Sequence, residues 1–121
     1  MTRNRASAKK AGTSFERLIA DYLAANVDDR IDRRVKTGAK DRGDIAGWRF
    51  AGKRIVAECK NTVKVSLGTW MTEAEIERDN DDAHVALVVH KRHGKAAAAD
   101  QWVTTTVGEL INLLHAHTKE N

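Results

Sequence analysis

The sequence predicts an α/β domain in the order α-β-β-β-α-β-β-α, with a central mixed β-sheet flanked by helices. Three observations predict it. Phe15, Leu18, Ile19, Tyr22 and Leu23 recur at helical spacing near the start of the chain. Asp44 to Arg49 and Lys53 to Lys60 read as two strands joined by a short turn. Val85 to Val89 is a continuous apolar run, the pattern of a central buried strand.

Residues 1–11 are small and polar, and read as a flexible basic N-terminal arm. Residues 12–121 are then one domain, and 121 residues suffice for one core but not two. Thr13-Ser14-Phe15-Glu16 has the pattern of a capping box, so the first helix is expected from there to about Asn26. Ile31, Arg33 and Val35 suggest a first strand, and residues 37–43 a polar loop. In the hairpin that follows, Phe50-Ala51-Gly52 suits a three-residue loop with Gly52 at its left-handed position. That closure pairs Arg49 with Lys53 and Asp44 with Glu58. Thr69 to about Asp81 is expected to be helical, Gln101 to Thr105 a short strand. Thr106-Val107-Gly108-Glu109 is a second capping box, opening a helix that carries Leu110, Ile111, Leu113 and Leu114.

The charge is unevenly spread. Lys and Arg number 21 against 17 Asp and Glu, a net charge of +4. Arg3, Arg5, Lys9 and Lys10 lie in a stretch without acids, and Arg30 to Arg42 carries six bases against two acids. Lys91, Arg92 and Lys95 form a third cluster beside His90 and His93. One such run is a solvated face; three in a short chain point to a polyanion-binding surface. The single cysteine, Cys59, excludes a disulfide framework and a cysteine-rich zinc site. No apolar run approaches the ~18 residues of a membrane span, and a cytoplasmic location is expected.

The chemical signal lies at Gly43-Asp44-Ile45 and Val56-Ala57-Glu58-Cys59-Lys60. Glu58 and Lys60 are two apart on a strand and share a face. The expected register sets Asp44 across from Glu58 on that face. Carboxylates held this way suit a hard divalent cation, which can activate water and neutralise a phosphodiester. A neighbouring lysine can orient or deprotonate that water, or stabilise developing charge. The plain alternative is a cross-strand salt bridge. The acids Glu73, Glu75 and Glu77 read as an exposed helix face, with Glu73 or Glu77 near the metal as the alternative. His90 and His93 are expected to contact phosphate or water, and the three tryptophans to be core or half-buried.

An acid after a turn, then acid-x-Lys on the next strand, preceded by a glutamate-bearing helix, resembles the PD-(D/E)XK nuclease superfamily. Within it the chain is most similar to archaeal-type Holliday junction resolvases and their phage-encoded relatives. The matching stretches are Gly12 to Arg17, Arg33 to Gly38, Arg42 to Ile45 and Val56 to Lys60. The family's Pro-Asp is Gly43-Asp44 here. The resemblance implies a restriction-endonuclease-like αβββαβ core over a nuclease domain at 12–121. It implies catalytic roles for Glu16, Asp44, Glu58 and Lys60, with Asp44, Glu58 and the Cys59 carbonyl as metal ligands. Glu16 has a structural alternative, as the capping partner of Thr13. The implied cofactor is Mg²⁺, with Mn²⁺ able to substitute, and the implied partner is branched DNA bound by a homodimer. DNA contacts are expected from Arg33, Arg34, Lys36, Lys40, Arg42, Lys91 and Arg92. Rival expectations are a nuclease for flaps, forks or duplex DNA, and a non-catalytic DNA-binding module. A phage-encoded protein would act in the host cytoplasm.

Overall fold

The computed structural model describes residues 4–35, 38 and 40–117. Three helices and a mixed four-stranded sheet make up most of it, with a two-stranded ribbon beside them. In chain order the elements are α1 (Arg5–Asn26), β1 (Asp32–Arg33), β2 (Ile45–Ala46), β3 (Arg49–Phe50) and β4 (Lys53–Lys60). There follow α2 (Leu67–Asn80), β5 (Val85–His90), a 3₁₀ turn (Ala98–Asp100), β6 (Trp102–Thr104) and α3 (Val107–His115). No described helix is long and apolar enough to cross a membrane.

The sheet runs β3-β4-β5-β6, with β4 and β5 parallel and both outer pairings antiparallel. β5, the predicted apolar run, is buried at every residue because sheet and helices cover it on all sides. Alternation along β4 and β5 sorts the two faces. Ala57, Cys59 and Val89 meet Phe15 and Ile19 of α1, and Ile55 and Leu87 meet Leu113 of α3. Ala86 and Val88 meet Trp70, Met71 and Ala74 of α2. Glu58 and Lys60 alternate with Ala57 and Cys59, so they face α2.

Four expectations about the elements need correction. Helix α1 starts at Arg5, not Thr13, and residues 5–11 of the expected arm are its first turns. The Asn4 side chain caps it by accepting from the Ser7 N–H at 2.8 Å. Alanine at 6, 8 and 11 favours the helix, and Thr13 and Glu16 lie inside it, so they form no capping box.

The hairpin register differs by one residue. Arg49 pairs with Arg54 and Phe50 with Lys53. The loop is the two residues Ala51 and Gly52, both at positive φ (52° and 78°), as a type I′ turn requires. The strand expected over 44–49 is also broken. Gly47, at φ 82°, bends the chain so that β2 pairs with β1 and only β3 pairs with β4. A Cβ at Gly47 would stand 2.7 Å from the Arg30 carbonyl oxygen, so only glycine fits.

The second capping box is half realised. Thr106 Oγ1 accepts from the Glu109 N–H at 3.1 Å, capping α3. The Glu109 carboxylate does not reciprocate. It is buried, accepts from the Ala86 N–H at 2.7 Å and pairs with Arg78 of α2.

Candidate metal centre

The strand β4 emerges from the core with Glu58 and Lys60 on its α2-facing side. Helix α2 meets them with Glu73 and Glu77. Trp70, Ala74 and Glu77 are spaced four and three apart, so they share the buried stripe of α2. Glu77 is therefore only 3% exposed and lies on the core side of the helix. A third acid, Asp41, comes from the loop before β2. Its carboxylate accepts from the Gly43 N–H at 2.9 Å, and Asn80 at the end of α2 donates to its carbonyl at 2.8 Å. The turn thus pins Asp41 against α2.

One carboxylate oxygen from each of Asp41, Glu58 and Glu77 lies within 4.8 Å of the others. Opposite oxygens on an octahedral Mg²⁺ stand about 4.2 Å apart, at roughly 2.1 Å per bond. Three oxygens cannot all be opposite, and adjacent ones stand about 3.0 Å apart, so the carboxylates must draw closer as an ion binds. Glu58 Oε1 and Glu77 Oε1 are buried without a hydrogen-bond partner. Such oxygens need a proton or a cation between them. Burial, and then the charge of Glu58, push the Glu77 carboxyl up to about 10. The donor set is all oxygen, which fits a hard cation. This group can hold a metal ion. It opens into a cleft of about 300 Å³ that Lys60 and Glu73 also line.

Lys60 is clamped from two sides. Its Nζ lies 3.1 Å from Glu58 Oε2 and 3.0 Å from Glu73 Oε1. Burial alone would lower its pKa, but Glu73 and Glu58 outweigh it and hold the ammonium above its ordinary value. Lys60 is thus a fixed positive charge.

Asp44 is buried, but not where the expected register puts it. Its backbone N–H donates to the Ala57 carbonyl at 3.0 Å, which sets it beside Ala57 and not Glu58. Its Oδ2 accepts from the Cys59 N–H at 2.8 Å. It remains close enough for its charge to help raise Glu77. Burial, then the charges of Asp44, Glu16, Glu58 and Glu77, push the Cys59 thiol up, so it is no nucleophile at neutral pH. The thiol packs in the core beside Ile19 and Ala57. Glu16 approaches from α1 and accepts from Arg33 Nε at 3.0 Å.

Glu58, Lys60 and Asp44 therefore meet in one region, with Glu16 on the α1 side. Sequence reasoning passed over Asp41, and placed Glu77 near the metal only as the alternative to an exposed helix face. The signal for Glu77 was its spacing from Trp70 and Ala74. The signal for Asp41 was an aspartate two residues before a glycine, a turn that fixes its carboxylate.

The expected basic residues fall into two groups. Arg34 pairs with Asp81 at 3.2 Å, while Lys40 and Arg42 are exposed on the loop leading to Asp44. Lys36 lies outside the described residues. On the far loop, Lys91 Nζ donates to the Lys95 carbonyl, and the Arg92 guanidinium lies 4.4 Å over the half-exposed Trp102 ring. Of the two histidines beside them, His90 is enclosed, against the expectation of phosphate or water, while His93 is exposed as well as having a protein partner. His90 is buried with Thr104 Oγ1 at 2.7 Å, and His93 Nε2 lies 3.0 Å from the Thr62 carbonyl.

Comparison with protein-family models, curated proteins and solved structures finds no match to this chain.

Proposed function

We propose that this chain is a Mg²⁺-dependent DNA endonuclease on a restriction-endonuclease-like core, cutting branched DNA and four-way junctions foremost. The observation that carries the reading is the buried pair Glu58 and Glu77, each with an orphaned oxygen, beside the clamped ammonium of Lys60. Solubility does not explain buried acids, and a salt bridge from Lys60 to Glu58 does not explain a second buried carboxylate facing the first.

Glu58, Glu77 and Asp41 would hold the ion, with Asp44 close by as the resemblance to the PD-(D/E)XK superfamily implies. The bound ion would polarise the scissile phosphate and lower the pKa of a coordinated water. Lys60 keeps its proton, so its role is to donate to a phosphate oxygen and to offset the charge that grows there. It is not the base. Lys40 and Arg42, exposed beside Asp44, offer charge to the flanking phosphates.

A junction needs two symmetric nicks, so the working unit is a two-fold dimer of Mg²⁺-bound sites. Helix α3 supports this. Its buried side carries Glu109, and Val107, Leu110, Ile111 and Leu114 are left exposed at the spacing of one helical stripe.

The deciding assay incubates purified protein with Mg²⁺ on matched four-way junction, fork and linear duplex. Cleavage of the junction first is expected. Equal cutting of all three would replace the junction reading with a general nuclease, and binding without cutting would leave a non-catalytic module.

A further inference from the structure

We infer that the N-terminal overhang of α1 is a rigid track for one strand's phosphate backbone, running away from the metal centre along the DNA arm beside the cut. The inference rests on the reading that the partner is DNA, and adds where and how far the chain grips it.

The overhang is an exposed helix with an organised face. At 100° per residue, Arg5, Lys9, Gly12 and Glu16 fall within about 80° of arc, together with Ile19 and Leu23. Ile19 is buried in the core and Leu23 packs against it. The sector that faces the domain therefore continues beyond it, and there its apolar side chains give way to cations and a glycine. Residues 5–10 are all exposed, so packing against the domain does not account for their identity. There is no acid in the first turn to balance the positive end of the helix. An overhang kept only for solubility would have no reason to gather like charge there.

The overhang also has an opposing wall. Lys9, Gly12, Thr13 and Glu16 line one side of a cleft of about 470 Å³, and Arg33 and Arg34 line the other. Glu16 takes up part of the charge of Arg33, and Asp81 part of that of Arg34. Lys9 has no ion pair among the described residues, and Arg34 Nε is buried without an acceptor. The cleft thus keeps a positive surplus. Gly12 has nothing within 4 Å of where a Cβ would stand, which leaves the wall open to a backbone. A phosphodiester chain supplies the opposing charge.

Glu16 ties the track to the chemistry, because its charge is felt at Cys59 beside Asp44. From Glu16 to Arg5 the helix covers about 16 Å at 1.5 Å per residue. That matches roughly five base pairs at 3.4 Å each along one strand.

The test is the salt dependence and arm-length dependence of binding, measured by fluorescence anisotropy in Ca²⁺ with junctions of graded arm length. The variants are Arg5→Gln with Lys9→Gln, and separately Lys10→Gln, which lies about 100° round the helix from Lys9. The double variant should lower the slope of log affinity against log salt by nearly two units. It should also lose the affinity that wild type gains as the arm grows to about five base pairs. Lys10→Gln should leave both unchanged. Wild-type slope and arm dependence in the double variant, with circular dichroism confirming the fold, would overturn the track and leave the nuclease reading intact. An α1-dependent slope in a protein that never cuts would support the track and overturn the nuclease. Failure of wild type to bind DNA would overturn both.

Discussion

Glu77 of α2 and Glu58 of β4 bring two buried carboxylates within 4.8 Å of each other, and the Oε1 of each lacks a hydrogen-bond partner. Two negative charges cannot both persist there without compensation. Metal-free, the pair is relieved by a proton on Glu77; with a divalent cation bound, the proton is displaced.

The stability of the metal-free protein should therefore fall with rising pH. Glu77 titrates near 4.5 in an unfolded chain and near 10 in the fold. Between those values the folded state holds a proton that the unfolded state has lost, so stability declines as pH rises. Melting followed by circular dichroism in EDTA should lose several degrees from about pH 5 to about pH 9. Mg²⁺ should restore more at the higher pH, and Glu77→Gln should flatten the profile. A melting temperature that rises with pH over this range would show that the pair is not the controlling group.

Lys60→Ala should lower the cleavage rate about 100- to 1000-fold, the usual effect of removing one charge-stabilising donor. DNA affinity should change little, since the cations outside the cleft remain. Asp44→Asn should also abolish cutting while keeping the fold, because the amide oxygen can still accept from the Cys59 N–H. Single-turnover cleavage and anisotropy separate the two effects. Retained cutting by Asp44→Asn would restrict the metal ligands to Asp41, Glu58 and Glu77.

Ala51 sits at φ 52° in the first position of a type I′ turn, where a Cβ is strained. Ala51→Asn should stabilise the protein by about 0.5–1 kcal/mol, because asparagine tolerates the left-handed region far better. Urea unfolding would show the midpoint rising without a change in slope. Ala51→Val should do the reverse.

What the sequence could convey depended on how local the cause was. β4, β5 and α3 were legible because each carries its own apolar pattern, alternating, continuous or helical. The register of the β3–β4 hairpin was not, because an alanine in the left-handed region carries no signal of its own. Gly52 alone suits a two- or a three-residue loop. Gly47 read as an ordinary strand residue, since the reason for it is the Arg30 carbonyl, seventeen positions away. The start of α1 was misplaced by a local match, Thr13 to Glu16, that the helix-forming residues before it overrode. At the site, Glu58 and Lys60 were legible from strand alternation. Glu77 read first as one more acid on a charged helix face, with a place near the metal as the alternative, although Trp70 and Ala74 marked its side as buried.

The last prediction concerns assembly. Helix α3 buries Glu109 and exposes Val107, Leu110, Ile111 and Leu114, with Val107 79% exposed. An apolar stripe of this kind on a helix is stable when a second surface covers it. Across a two-fold axis the stripe would meet its own copy, giving the self-complementary contact that a symmetric pair requires. Ile111→Glu with Leu114→Glu should leave the monomer folded, because both side chains are more than 40% exposed. Light scattering at micromolar concentration should give twice the chain mass for wild type and the single-chain mass for the double variant. On a supercoiled cruciform, wild type should linearise the plasmid, since paired sites nick both strands within one encounter. The double variant should only nick it. A wild type that is monomeric and merely nicks would defeat the resolvase reading, yet leave the metal centre and its chemistry as described. A dimer unaffected by the α3 changes would move the interface elsewhere, with the open edge of β6 as the next surface to alter.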